Sequence, residues 1–433
     1  MTPIEAELLT VTFVDNAGIA RAKTVPAGHL DKAATAGVGA STTFGGFTGL
    51  DLIGQRTGFE VPTGDMRVTA DAEALVVDGA WAWAPGDLKG TDGGPWPACS
   101  RTFARRLAGR AAERGLDVQM AFETEWFAWH ADGTPVHDQP AYGLEATRAT
   151  GDVLLRLVRR LGRVGVDVDQ VHPEYSPGQI EVSVGATGPV AAADRAVLVR
   201  DVVRTVHREL GQRVSLSPKP YLGSLGSGAH VHVSLWRDGH NLFGTGDGPH
   251  GLDAEAAAFL AGLLAELPAL VAVGCATPVS YLRLGPGSWT GAYACWGLEN
   301  REAPLRLIQG SQSARPASAN VELKTVDASG NPYLVVGAML AAGLAGIDAD
   351  LTLPEECTID PSTMSEAQRA AAGIAPLPGD LALATRALRG STVLREAMGD
   401  VLHDALAGVR EAENAAAEGL AAEALCERYR YRY

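Results

Sequence analysis

Lysine is scarce in this chain. Lys23, Lys32, Lys89, Lys219 and Lys324 are the only five, within a combined Lys and Arg total of 36, so most positive charge is guanidinium. Acids outnumber bases 51 to 36 for a net charge of −15, and no basic run offsets them. That balance argues against nucleic acid as a partner. The five cysteines (Cys99, Cys275, Cys295, Cys357, Cys426) are scattered with no CxxC pair, which speaks against a disulfide framework or a zinc knuckle and fits a reducing cytoplasm. The longest apolar run read from the residues, Leu334 to Ile347, is interrupted by glycines and falls short of the roughly 20 residues of a membrane span. The opening MTPIEAELLT lacks the basic region and apolar core of a signal peptide. A soluble, cytoplasmic protein with no membrane partner is the expectation.

At 433 residues the chain is too long for one compact core, so two domains are expected. Residues 1–97 are β-rich. Strands are expected at Leu8 to Val14, Ile19 to Val25, Met66 to Thr69, Ala74 to Val77 and Trp81 to Ala84, with a short helix at Leu30 to Ala36 and long loops from Gly37 to Gly64. The turn cluster GTDGGPWPACS closes this module. In residues 98–433 helical spacing begins at Arg101, a long strand follows at Val118 to Trp129, and helices are expected at Gly151 to Val164 and Ala191 to Gln212. A helix from Ala254 to Leu267 is expected to stop at Pro268. Further strands are expected at Ala292 to Trp296 and Val321 to Thr325, and mostly helix from Pro332 on. The Ala- and Glu-rich stretch 395–425 reads as a solvated surface helix.

Chemistry concentrates around PKPYLGSLGSGAHVHVSL, Pro218 to Leu235. After a Gly226-Ser227-Gly228 turn, His230, His232 and Ser234 alternate with Val231, Val233 and Leu235, so the polar groups share one face of a strand. Alone this could be a hairpin with half-exposed histidines. Glu123 and Glu125 share a strand face in FETEW, Glu174 and Glu181 flank a Pro-Gly turn in HPEYSPGQIE, and Glu322 alternates with Val321 and Leu323. Each ExE-like pair is weak by itself. Five glutamates and a histidine on inward faces are costly unless cations neutralise them. Hard divalent ions such as Mg²⁺ or Mn²⁺ suit that donor set, and two or more of them together suit phosphoryl transfer. Arg283, Arg301 and Arg306, with Lys219 and Lys324, supply cations for an anionic substrate.

These segments, with SYLRLGPG, NREAPLR and VELKTVDASGNPYL, resemble the glutamine synthetase family in composition and order over almost the whole chain. The resemblance implies an α+β protein: an N-terminal β-grasp domain (1–97), then a catalytic domain (98–433) with an antiparallel sheet and surrounding helices. It also implies a homo-oligomer, a dodecamer of two hexameric rings with inter-subunit active sites. The implied reaction is ATP-dependent phosphorylation of the γ-carboxylate of glutamate, followed by attack of an amine on the acyl phosphate. By motif, Glu125, Glu174 and Glu181 would hold one metal ion and Glu123, His230 and Glu322 another. His232, Ser234, Arg306 and Lys219 would serve the nucleotide. Arg283, Gly226, Gly228 and Lys324 would line the amino-acid site, and Arg301 would face the transferring phosphoryl group.

The amine half departs from the family pattern. Where the family carries an aspartate for ammonium, this chain has Phe44-Gly45-Gly46-Phe47, and the flap glutamate position holds Trp289. Ammonium needs anionic groups to hold it and take its proton. Their absence points to a substituted, aromatic or N–N/N–O type amine, with an alkylamine on Trp289 also open; Tyr142 is a loose candidate for the same pocket. Lys324, Asn320, Leu225 and Pro173 also differ from the family pattern, leaving the identity of the acid open. The alternatives are a true glutamine synthetase with an altered ammonium site and a non-catalytic ring protein.

Overall fold

A computed structural model describes residues 5–61 and 63–433. The first sheet is built from β1 (Leu8–Val14), β2 (Ala20–Pro26), β3 (Val38–Ser41), β4 (Asp65–Ala70), β5 (Val76–Asp78) and β6 (Trp81–Gly90). Its order is β2-β1-β6-β4-β3 with β5 on β6; β1 runs parallel to β6 and the other pairs are antiparallel. Leu9, Val11, Met66, Val68, Ala82 and Ala84 bury one face, on which the helix Leu30–Thr35 sets Leu30 and Ala33. The loops expected between Gly37 and Gly64 contain β3 and a 3-10 turn, Thr42–Gly46. Gly-rich composition masked that strand, which exists because β4 pairs with it.

The second sheet comprises β7 (Asp117–Trp129), β8 (Val168–Pro173), β9 (Gln179–Val184), β10 (Arg213–Ser215), β11 (Val231–Arg237), β12 (His240–Asn241), β13 (Trp296–Leu298), β14 (Leu305–Ile308) and β15 (Asn320–Leu323). Its order is β13-β14-β15-β11-β7-β9-β8, with β10 on β7 and β12 on β11, and only β13–β14 is parallel. Period-two alternation sorts its faces. Met120, Phe122, Val231, Val233, Val321 and Leu323 are buried in the same core as the helices Ala254–Gly274 and Pro332–Asp348. Trp126, Ile180 and Val182 are buried with the helices Gly151–Arg163 and Pro189–Glu209. The alternate residues carry the polar face. The expected strand at Ala292 to Trp296 is displaced to β13, because pairing with β14 begins only at Trp296.

Two helices differ from expectation. Pro268 does not end its helix, which runs on to Gly274. Proline forfeits one backbone bond, but this helix is covered by Pro332–Asp348 so closely that a Cβ on Gly262 would lie 2.3 Å from the Ala342 carbonyl oxygen. Packing outweighs the lost bond. The helix is long and apolar enough to cross a membrane, yet 72% of its apolar window is buried in the fold, so its apolarity serves the core. The 395–425 stretch is not a solvated helix either. It forms parts of three, and Asp400–Ala417 buries Leu402, Leu406, Val409 and Arg410, the last donating to the carbonyls of Ala272 and Asn16.

Candidate active site

The polar face of the second sheet gathers its carboxylates through strand register. Across β8, β9 and β7, His172 pairs with Glu181 and Glu181 with Glu125. Across β14, β15 and β11, Arg306 pairs with Glu322 and Glu322 with His232. Glu123 and His230 join the two rows: His230 Nδ1 lies 3.3 Å from Glu123 Oε2 and 3.1 Å from Glu322 Oε1, while its Nε2 lies 3.8 Å from Glu125 Oε1. Glu174, just past β8, is 3.0 Å from His172 Nε2.

Two donor groups have ligand atoms within 4.8 Å of one another: Glu123, His232 and Glu322, and His172, Glu174 and Glu181. The expected residues are thus brought together, with two further imidazoles beside them. His230 touches both Glu123 and Glu322, as expected, and His232 Nε2 also reaches Glu123 Oε1 at 3.2 Å; Glu125 stands opposite Glu181, and His172 joins Glu174 and Glu181. His172 was missed as a ligand candidate, although its place two residues before Glu174 on a strand was the available signal.

Burial and mutual repulsion set the electrostatics of this cluster. Burial, then the neighbouring Glu123, Glu125, Glu174 and Glu322, push Glu181 well above the ordinary carboxyl range. Burial would lower His232, but Glu123 and Glu322 raise it to about 9. Burial would raise Glu322 too; Lys324, His230 and His232 instead hold it well below the usual range. A divalent cation among these carboxylates would offset their mutual repulsion better than protonated imidazoles do. His232 Nδ1 is 2.8 Å from Asn320 Oδ1. Its buried Nε2 has no hydrogen-bond partner, although it lies 3.2 Å from Glu123 Oε1. With Nδ1–H donating to Asn320, loss of the second ring proton would turn an Nε2 lone pair toward the cluster, as a ligand nitrogen requires. The residues fit divalent metal ions.

The Gly-Ser-Gly turn is a steric requirement. Gly226 has φ +99°, and a Cβ there would meet the Pro218 carbonyl oxygen at 2.5 Å and Arg283 Cγ at 2.8 Å. At Gly228 a Cβ would lie 2.5 Å from His230 Nε2 and 2.9 Å from Glu125 Oε1. Gln179 fixes the turn to the cluster, its amide donating to Glu125 Oε2 and to the Gly226 carbonyl, each at 2.8 Å. Arg283 is buried and donates to the carbonyls of Lys324 and Val326, with its Nε unpaired. Arg306 Nη1 is 3.2 Å from Glu322 Oε2, and Lys324 Nζ is 3.4 Å from Glu322 Oε1. Ser234 is buried beneath Trp236, which donates to its hydroxyl. Two candidates stay outside these contacts. Lys219 turns to the Ser224 carbonyl at 2.5 Å, and Arg301 is exposed with no ion pair among the described residues.

Beside Glu174 runs a chain of aromatic rings. Tyr142 stacks on His172 at 4.8 Å and donates to Glu174 Oε1 at 2.5 Å. Tyr175 meets Tyr142 edge to face at 5.7 Å and Trp289 at 5.0 Å. Tyr142 and Trp289 both have φ +56°, an uncommon conformation for large side chains that surrounding structure must hold; Glu302 Oε1 accepts from the Trp289 backbone N–H at 3.0 Å. All three rings keep an exposed surface. Tyr175 was missed as a site residue, since its ring takes its place only when β8 and the Trp289 loop come together. In the Phe44–Phe47 run the glycines are crowded: a Cβ on Gly45 would be 2.6 Å from the Phe59 ring and one on Gly46 2.6 Å from Thr57 Oγ1.

Comparison with known proteins agrees with this geometry. A family model described as the glutamine synthetase catalytic domain matches residues 97–429. The gamma-glutamylpolyamine synthetase GlnA3 of Streptomyces coelicolor is 44% identical, over 98% of this chain and 93% of its own length. A glutamine synthetase of Halobacterium salinarum is 30% identical over the same shares. Among solved structures, a glutamine synthase homolog superposes with a TM-score of 0.89 at 33% identity over the full length of both chains. A GmaS/ADP complex gives 0.84 at 28% identity over 96% of this chain and 95% of that one.

Proposed function

The chain belongs to the glutamine synthetase family, and we propose that it joins the γ-carboxylate of glutamate to an organic amine at the expense of ATP. It is a carbon–nitrogen ligase. A carboxylate oxygen attacks the γ-phosphorus of ATP, giving the γ-glutamyl phosphate and ADP. The amine nitrogen then attacks the acyl carbon, phosphate leaves, and the amine gives up a proton. Divalent ions at the carboxylate cluster would offset phosphate charge and align the phosphoryl oxygens.

In this reading Glu123, His230 and Glu322, with His232 alongside, would hold the ion on the nucleotide side, and Glu125, Glu174 and Glu181, with His172 alongside, the one beside glutamate. Arg283 takes the glutamate carboxylate, and Arg306, Ser234 and Lys219 belong to the nucleotide. Arg301, free at the surface, is available to the transferred phosphoryl group. A boundary near residues 97/98, a β-grasp N-terminal domain and a ring-shaped homo-oligomer with inter-subunit sites, a dodecamer in the fullest form, complete the proposal. The parallel β1–β6 pairing and the start of the family match support its first two parts.

The aromatic chain carries the choice of amine. Where ammonium would require acids, this site presents Tyr175 and Trp289 beside Glu174. Aromatic faces attract organic ammonium groups and contact their alkyl chains, and give little to a small hydrated ion. The test is phosphate release from ATP and glutamate with Mg²⁺ across ammonium, methylamine, ethanolamine, a polyamine, aniline, hydrazine and hydroxylamine, with products read by mass. An organic amine is expected to outpace ammonium. Ammonium outpacing all of them would make this a plain glutamine synthetase.

A further inference from the structure

Between the first sheet and the helix Pro189–Glu209 lies a cavity of about 750 Å³. Trp81, Trp83, Ile19 and Val76 form one wall, and the other carries Arg200, Arg204 and Arg208. These arginines sit at i, i+4 and i+8 and so share one helix face, where like charges repel. None has a carboxylate within the 4.0 Å of an ion pair among the described residues. Arg200 is 7% exposed; it donates to the Ala328 carbonyl at 3.0 Å and leaves Nε without a partner. Arg204 reaches only the Arg200 carbonyl, at 3.4 Å. Burial, with Arg204 adjacent, lowers Arg200 to about 10, which leaves it charged at neutral pH.

The remaining charges at the cavity do not offset this row. Asp78 and Glu209 are each 2.5 Å from Arg160, and Arg432 pairs with Asp51 at 3.4 Å. Asp201 on the same helix and Asp327 beyond Arg200 are the nearest unpaired carboxylates. The cavity lining itself carries five arginines (Arg160, Arg200, Arg204, Arg208 and Arg432) against three acidic side chains (Asp78, Asp201 and Glu209), so positive charge exceeds negative on its wall.

We propose that this cavity binds a small organic oxyanion, its phosphate or carboxylate on Arg204 and Arg208 and its flat apolar body against Trp83. The site is separate from the carboxylate cluster, because the helix Pro189–Glu209 packs on the Trp126, Ile180 and Val182 face of the sheet, opposite the glutamates. A ligand there bridges the N-terminal sheet and that helix, and it stabilises the folded protein.

The experiment titrates the full-length protein calorimetrically with phenyl phosphate, phenylacetate, inorganic phosphate and phenol, following tryptophan fluorescence in parallel. Phenyl phosphate or phenylacetate is expected to bind and quench fluorescence, the tighter arm showing which oxyanion is preferred. Phenol is expected not to bind. Arg204→Gln and Arg208→Gln should each weaken binding at least tenfold, leave ligase activity unchanged, and melt no lower than wild type without ligand, since each relieves a repulsion. No binding, binding unaffected by the variants, or displacement by ATP would overturn the proposal. So would inorganic phosphate matching phenyl phosphate, or variants that melt lower or change assembly size, which would make the cavity an interface between copies. None of these readouts depends on which amine the ligase uses.

Discussion

Gly228→Ala tests the carboxylate cluster with one methyl group. The backbone at Gly228 is not in the left-handed region, so alanine meets no conformational bar there. The obstacle is steric: the new Cβ would sit 2.5 Å from His230 Nε2 and 2.9 Å from Glu125 Oε1, where ordinary contact begins at 3.4 Å. The imidazole must therefore retreat by close to an ångström. It cannot do so alone, since its other nitrogen lies 3.1 Å from Glu322 and 3.3 Å from Glu123, the two carboxylates it bridges. Glu125 is tied in turn to Gln179 and the Gly226 carbonyl. Disturbing groups that position metal ligands costs about 10–100-fold in metal affinity, and a misplacement of about 1 Å costs on the order of 10²-fold in rate. The expected variant folds, needs about 10–100-fold more Mg²⁺ for half-maximal activity, and turns over slowly even when saturated. Phosphate release against Mg²⁺ concentration, with a melting curve in chelator, separates these effects. A wild-type Mg²⁺ dependence in a folded Gly228→Ala protein would refute the assignment of His230 and Glu125 to the metal cluster.

Trp289→Ala should raise KM for the preferred organic amine by roughly 2–30-fold, the equivalent of a lost cation–π contact of about 0.5–2 kcal/mol, while KM for ATP holds; equal losses for every substrate would point to a collapsed loop instead. Tyr175→Leu should show the same selective loss in amine kinetics. Arg101, buried and within 3.2 Å of Asp71, Asp87 and Asp194, ties the first sheet to the helix Pro189–Glu209; Arg101→Met should cost about 3–5 kcal/mol in urea unfolding, the scale for stripping a buried carboxylate of its partner. Burial lowers His207 to about 4, and Trp126 Nε1–H donates to its Nε2 at 2.9 Å. The unfolded chain then binds the extra proton between pH 6.5 and 4, so stability falls as pH drops through that window, by about 3 kcal/mol for this group. His207→Gln should flatten the dependence, and an unchanged pH profile of the urea midpoint would refute it.

Much of the site was legible because its signals are local. Period-two alternation assigned Glu123, Glu125, His232, Ser234 and Glu322 to polar strand faces, and each lies there, because side-chain direction in a strand follows from backbone geometry alone. The sparse lysines, the absent acids at Gly45, Gly46 and Trp289, and the order of motifs could likewise be read from the chain. Register could not. That Glu181 opposes Glu125, and Glu322 opposes His232, depends on which strands pair and with what offset, and shifting a strand by one residue would turn every side chain to the other face. The convergence of His230 and His232 on Glu123, the entry of His172, and the meeting of Tyr175 with Trp289 all rest on such long-range pairing. So does the tolerance of Pro268, where packing against Pro332–Asp348 outweighs a local preference. The arginines at 200, 204 and 208 went unremarked in the sequence, because only the sheet folded over them makes them the wall of a cavity; burial and the absence of partners are properties of the assembled fold.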